Sequence, residues 1–174
     1  MKDVRTPDDA LEFLKELQAP EDLLRHAEIV RETAEQILGC LKLAIDVIDV
    51  PVVLIGAVLH DIGKIKYPKE LKEPGHKHEA AGYELLISHG FSEQIAYICI
   101  AHSQWQNTNS HEALIVALAD KLWKGKRVIE LEEEIIKRVA DVRKDDFWSI
   151  YGVLQTCFDD IADTATEHLI RNSK

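Results

Sequence analysis

Cysteine is scarce in this chain: Cys40, Cys99 and Cys157 are its three, far apart and with no Cys-x-x-Cys pair. That argues against a disulfide framework and against a cysteine zinc site, and all three are read as small core residues. Long apolar runs are missing too. None reaches the roughly 18 residues that a membrane span needs. The opening Met1-Lys2-Asp3-Val4-Arg5-Thr6-Pro7-Asp8-Asp9 is charged rather than hydrophobic. Neither a span nor a signal peptide is expected, and the expected compartment is cytoplasmic. There is no basic excess: 21 Lys and Arg stand against 31 Asp and Glu, a formal charge of −10. An acidic chain is poorly suited to a nucleic-acid backbone, which calls for a basic face. The chain carries no Gly-x-Ser-x-Gly and no Walker loop, so a serine nucleophile or a phosphate-cradling glycine loop is not its chemistry.

Strand signals are weak, and the 3.6-residue period dominates. Thr6-Pro7 opens a first helix, with aspartates in its first turn. A second follows Ala19-Pro20-Glu21-Asp22, with the stripe Leu23, Ala27, Val30, Ala34, Ile37, Leu38, Leu41 and with His26 beside it. A third, almost wholly apolar, ends near Gly63. Lys66 to Gly75 reads as a loop. Helix four runs from about His78 to His89, closed by Gly90. Ser92 caps helix five, whose stripe ends at His102. Gln104 to Ser110 is turn-like, helix six carries Asp120 at a stripe position, and Gly125 interrupts it. The last third, about 128–172, reads as two helices broken near Lys144-Asp145-Asp146. The expectation is an all-α single domain, 1–174, of about seven or eight helices. Its motif-bearing core is about 20–127.

The dipeptide His60-Asp61 ends the run Pro51-Val-Val-Leu-Ile-Gly-Ala-Val-Leu59. A helix that apolar belongs in a core, where a carboxylate costs several kcal/mol unless paired or metal-bound. His26, His78, His102 and Asp120 are ligand types on, or beside, other apolar faces. Several inward His and Asp residues would each need a separate partner, whereas one or two divalent cations satisfy them together. Iron and manganese lead among the metals that imidazole and carboxylate suit, with zinc, nickel, cobalt and magnesium behind. His76, in the loop, is the weaker ligand.

The ordered set His26, His60-Asp61, Asp120 resembles the HD-domain superfamily of metal-dependent phosphohydrolases. Ala57-Val-Leu-His-Asp-Ile-Gly-Lys64 looks like its central signature, and Ala117-Leu-Ala-Asp-Lys121 like its closing one. His78-Glu-Ala-Ala-Gly82 and His102 resemble the additions of its two-metal branch, near the bacterial dinucleoside tetraphosphate hydrolases. Ala101 before His102, with no Gly-Tyr-Pro following, departs from the cyclic-di-GMP phosphodiesterases. The resemblance implies metal ligands His26, His60, Asp61, His78, His102 and Asp120, with Asp61 bridging two ions. It implies metal-activated water cleaving a phosphoester or phosphoanhydride of a nucleotide or similar small molecule.

Phosphate needs cations around it. Lys64, one turn beyond Asp61, shares the catalytic role with that aspartate. Lys64, Lys121 and Lys124 are the expected substrate contacts, in a basic stretch running from Lys121 to Arg127. Trp105 reads as a cap on a hydrophobic edge, with base stacking as the other reading, and Gln104 stands next to it. Glu79 reads as an exposed helix-start residue, the alternative being a partner for an imidazole. Two other functions share the same ligand set: a di-iron oxygenase acting on a small organic substrate, and a non-catalytic metal-binding sensor. The C-terminal aromatics Phe147, Trp148 and Tyr151 are expected to pack over the bundle, a homodimer surface being the other reading.

Overall fold

The computed structural model describes residues 4–172, apart from the side chains of Leu43 and of 167–172. Met1-Lys2-Asp3 of the charged N-terminal segment lies outside the described residues. Among the described residues there are eight α-helices and no strand: α1 Pro7–Glu16, α2 Glu21–Cys40, α3 Val50–Leu59, α4 Lys77–Ser88, α5 Glu93–Ala101, α6 His111–Leu122, α7 Ile129–Arg143 and α8 Phe147–Asn172. The all-α expectation is met. No helix is long and apolar enough to cross a membrane, among those residues.

Local sequence explains most helix starts. Thr6 and Asp9 form a reciprocal capping box on α1, with Pro7 at its first position. Asp49, Ser92 and Ser110 accept backbone N–H bonds at the starts of α3, α5 and α6. Helix α3 is apolar on every side, and packs between α2, α6, α1 and α5. One set of buried side chains, including Ile37, Val53, Leu118 and Phe158, joins α2, α3 and α6 to α7 and α8. Another, including Leu14, Leu59, Leu86 and Cys99, joins α1, α3, α4 and α5. The C-terminal end of α3 therefore lies deep in the protein, and His60 and Asp61 with it.

Three expectations need correction. Helix α3 stops at Leu59 rather than near Gly63, and a 3₁₀ turn spans Ile62–Ile65. The reason is close packing on α4. A Cβ at position 63 would run into the His78 carbonyl and meet Gly82 N at 2.6 Å, so only glycine lets this turn lie on α4. Gly82 is the matching small residue, with Gly63 N 3.2 Å from where its own Cβ would be. The segment read as a loop holds a second 3₁₀ turn, Pro68–Leu71. The cysteines are not all lone core residues. Cys99 is buried and free, but Cys40 and Cys157 form a disulfide, Cα atoms 6.2 Å apart, joining the end of α2 to α8. A sequence separation of 117 hid that pairing.

Gly125, at φ 70°, ends the α6 segment, and Lys144, at φ 55°, makes the expected break between α7 and α8. Arg127 binds Glu132 through two bonds of 2.7 and 2.6 Å, and also reaches Gln155 and Asp159 on α8. Glu132 is wholly buried. Phe147 and Tyr151 pack against the core, as expected, whereas Trp148 is 72% exposed and Val153 67%.

Candidate metal centre

Five elements deliver the six expected ligands to one place. His26 comes from α2, His60 and Asp61 from the end of α3, and His78 from the first turn of α4. His102 follows α5, and Asp120 lies on α6. His26 Nε2 is 3.2 Å from His60 Nε2, 3.2 Å from Asp61 Oδ2 and 3.5 Å from Asp120 Oδ1. His60 Nε2 is 3.5 Å from Asp61 Oδ2 and 3.9 Å from Asp120 Oδ1. On the other side of the carboxylate, Asp61 Oδ1 lies 3.2 Å from His78 Nε2 and 3.8 Å from His102 Nε2. Two overlapping triads, His26–His60–Asp120 and His60–Asp61–His102, each have ligand atoms within 4.8 Å of one another.

Hydrogen bonds decide which ring nitrogen is presented. His60 Nδ1 donates to Ala57 O at 2.8 Å, and His102 Nδ1 donates to Ile98 O at 3.1 Å. His78 Nδ1 donates to Glu70 Oε2 at 2.6 Å. With the proton on Nδ1, each ring turns an Nε2 lone pair inward, the arrangement that metal-binding histidines use. His60 Nε2, with no proton of its own, faces His26 Nε2 at 3.2 Å and can only accept there. Asp61 Oδ1 is the buried side-chain oxygen left without a hydrogen bond among the described residues. Such an orphan is costly unless a cation satisfies it. The donor set and this orphaned oxygen both fit a divalent ion.

The electrostatics agree. Burial pushes the His60 imidazole down to about 3, so it is neutral at pH 7 and free to coordinate. Burial lowers His102 as well. For His78, burial works downward, but the Asp61 and Glu70 carboxylates beside its ring prevail and raise it. Burial acts to raise the Asp61 carboxyl, yet the surrounding imidazoles, His60 foremost, hold it well below the usual carboxylate range. Asp120 is likewise lowered against the effect of its burial, by His60, Lys121 and Lys124.

His26, Asp61, His78, His102 and Asp120 line a cleft of about 560 Å³, and His60 is buried beside them. Lys64, Lys121 and Lys124 all line it. Lys64 Nζ donates to Asp61 Oδ2 at 2.6 Å, Lys121 Nζ to Asp120 Oδ2 at 2.8 Å, and Lys124 Nζ lies 3.7 Å from Asp120 Oδ1. The basic stretch does not act as one unit: Arg127 is committed to Glu132, Gln155 and Asp159 and is absent from the cleft wall. Trp105 packs against the core, as the hydrophobic-edge reading has it.

Other residues were misjudged or missed. Glu79 is buried, not exposed, and bonds His76 Nδ1 at 2.9 Å and Gln104 Nε2 at 3.3 Å. Trp123 stands edge-on to His26, with ring centroids 5.3 Å apart, and its Nε1 donates to Asp120 Oδ1 at 3.4 Å. Its position three after Asp120, one helical turn on, was the available signal. Glu70 had no local signal, since its partner lies eight residues on in a different element.

A family model described as "HD domain" matches residues 21–124, a span that holds every expected ligand and cleft lysine. An uncharacterized protein of Methanocaldococcus jannaschii is 28% identical over 163 residues, covering 94% of this chain and 86% of that protein. No solved structure matches the chain.

Proposed function

The chain belongs to the HD-domain family, and from that premise we propose that it is a two-metal phosphohydrolase cleaving a nucleotide or a similar small phosphorylated molecule. The fold is of the metal-dependent hydrolase type, and its His and Asp groups suit divalent ions. The observation that carries the reading is the two-sided setting of Asp61. One of its oxygens faces His26 and His60, and the other, free of hydrogen bonds, faces His78 and His102. A carboxylate so placed would suit two ions, one on each side. His26, His60, Asp61 and Asp120 would hold the first, and Asp61, His78 and His102 the second. Bound there, a pair of ions supplies activated water and a clamp for phosphoryl oxygens. Iron or manganese suits this mixed nitrogen and oxygen set best.

The chain's own residues do the rest. Lys64, Lys121 and Lys124 bring three positive charges to the cleft, where they bind and orient a phosphate and offset its developing charge. The buried His60 and His102 imidazoles stay neutral at pH 7, so they hold cations rather than repel them. The one free cysteine, Cys99, has its thiol pushed up by burial, so it is no competing nucleophile. The resemblance of the His78-Glu-Ala-Ala-Gly82 and His102 motifs to those of dinucleoside tetraphosphate hydrolases makes phosphoanhydrides of nucleosides the first substrates to try.

The test is a screen of nucleotides and dinucleoside polyphosphates against protein reconstituted with manganese or with iron, with oxygen uptake followed beside phosphate release. Metal-dependent product formation, lost in Asp61→Ala, is expected. Oxygen uptake with iron and no hydrolysis of any phosphate compound would replace this reading with di-iron oxygenase chemistry.

A further inference from the structure

We propose that Glu70 is the positioning residue of the second metal position, holding His78 in the orientation that lets it serve as a ligand. The inference deepens the two-metal reading above and rests on it.

The need for such a residue follows from where each histidine sits on its helix. His60 and His102 both follow a completed helix, so a carbonyl of the preceding turn is within reach of Nδ1. His60 uses Ala57 O, three residues back, and His102 uses Ile98 O, four residues back. Each ring is thus fixed by its own helix. His78 is the second residue of α4 and has no helical turn before it. Its Nδ1 needs an acceptor from elsewhere.

Glu70 is that acceptor. It comes from the Pro68–Leu71 turn, on the far side of the Lys72–Gly75 segment. Its Oε2 accepts from His78 Nδ1 at 2.6 Å and from His78 N at 3.1 Å, while Oε1 accepts from Lys77 N at 3.3 Å. Ring and backbone of the same residue are therefore gripped together. The carboxylate also caps the start of α4, a task that His76, at the cap position, does not perform. The His76 ring is bound to Glu79 instead. Gly75 makes the approach possible: a Cβ there would collide with the Glu70 carboxylate. Once the Nδ1 proton is assigned to Glu70, Nε2 points a lone pair toward the Asp61 Oδ1 side, 3.2 Å from that oxygen. Glu70 stands in the cleft wall, and its hydrogen bonds go to Lys77 and His78, so its influence on the metal position runs through His78.

The experiment is calorimetric titration of the metal-stripped full chain with Mn²⁺, comparing wild type, Glu70→Ala, Glu70→Gln, His78→Ala and the Glu70→Ala/His78→Ala double variant. Wild type should take up two equivalents. Glu70→Ala should weaken the second by roughly ten- to a hundredfold, the usual effect of removing the carboxylate behind a ligating imidazole, and leave the first unchanged. Glu70→Gln, whose amide oxygen still accepts a bond, should fall between; it also decides the matter should Glu70→Ala fail to fold. In the His78→Ala background, removing Glu70 should change nothing further in metal uptake, because the ring it positions is gone. A purely structural role would weaken both equivalents and would persist in that background. Two unaltered equivalents in Glu70→Ala and Glu70→Gln would overturn the role of Glu70 while leaving the two-metal reading standing. A single equivalent in wild type would overturn that reading and this inference with it.

Discussion

The two sides of Asp61 are built differently. On the Oδ2 side, His26, His60 and Asp120 stand on α2, at the end of α3 and on α6, three elements packed on one another through the core. On the Oδ1 side, His102 is fixed by its own helix, but His78 depends on a carboxylate delivered from a surface turn. The first position is assembled by packing, and the second partly by a loop. Burial sets a site's rigidity, and a loop-held ligand is the cheaper one to lose. Substitutions of similar chemistry on the two sides should therefore have unequal consequences.

Asp61→Ala removes the residue common to both sides, and its effect should be the largest: no metal retained and turnover down by roughly a thousandfold or more, given the several kcal/mol that metal activation supplies. Elemental analysis and a phosphate-release assay check it together. Next come His26→Ala and His78→Ala, which set the sides against each other. The first should strip the packed position and abolish turnover. The second should leave about one equivalent bound, with turnover reduced but measurable. Equal losses would erase the distinction between the sides.

Lys124→Ala is expected to raise KM for a phosphate substrate by roughly tenfold, about 1.4 kcal/mol, with both metal equivalents retained. Metal loss in that variant would mean that the lysine supports the ligands instead. Acid should act first through the buried rings, and below about pH 4 through Asp61 and Asp120 as well. His60 titrates at its ordinary 6.5 when unfolded but near 3 when folded, so unfolding takes up a proton between those values. The stability of the metal-stripped protein should be full above about pH 6.5 and fall progressively as the pH approaches 3. His102, also lowered, adds to this, whereas His78, raised, gives a stabilisation that is fully present below pH 6.5 and is lost as the pH rises above it. Thermal melts across that range measure the sum. The smallest effect on the site is expected from Cys157→Ser. It opens the tie between α2 and α8, costing about 2–4 kcal/mol of stability, and should leave metal uptake unchanged.

The sequence was readable wherever a residue's role depended on its own helix. The caps at Thr6 and Ser92, the apolar run before His60-Asp61 and the stripe positions of His102 and Asp120 are all local patterns, and each reappears in the structure. What escaped it depends on partners distant in the chain or outside the periodic segments. Glu70 carries no pattern of its own and acquires meaning only when the Pro68–Leu71 turn meets α4. Cys40 and Cys157 meet because α8 crosses the end of α2. Helix α3 ends early because Gly63 lies on Gly82, a contact invisible in either segment alone. Glu79 looked like a solvent-facing start residue, yet His76 and Gln104 close over it.

The most direct measurement is the metal content of the chain, purified without a tag and reconstituted with manganese or iron. Wild type should hold close to two equivalents per chain and Asp61→Ala none. Wild-type protein that retains no metal after reconstitution would contradict this, leaving a buried His and Asp cluster with no cation to serve.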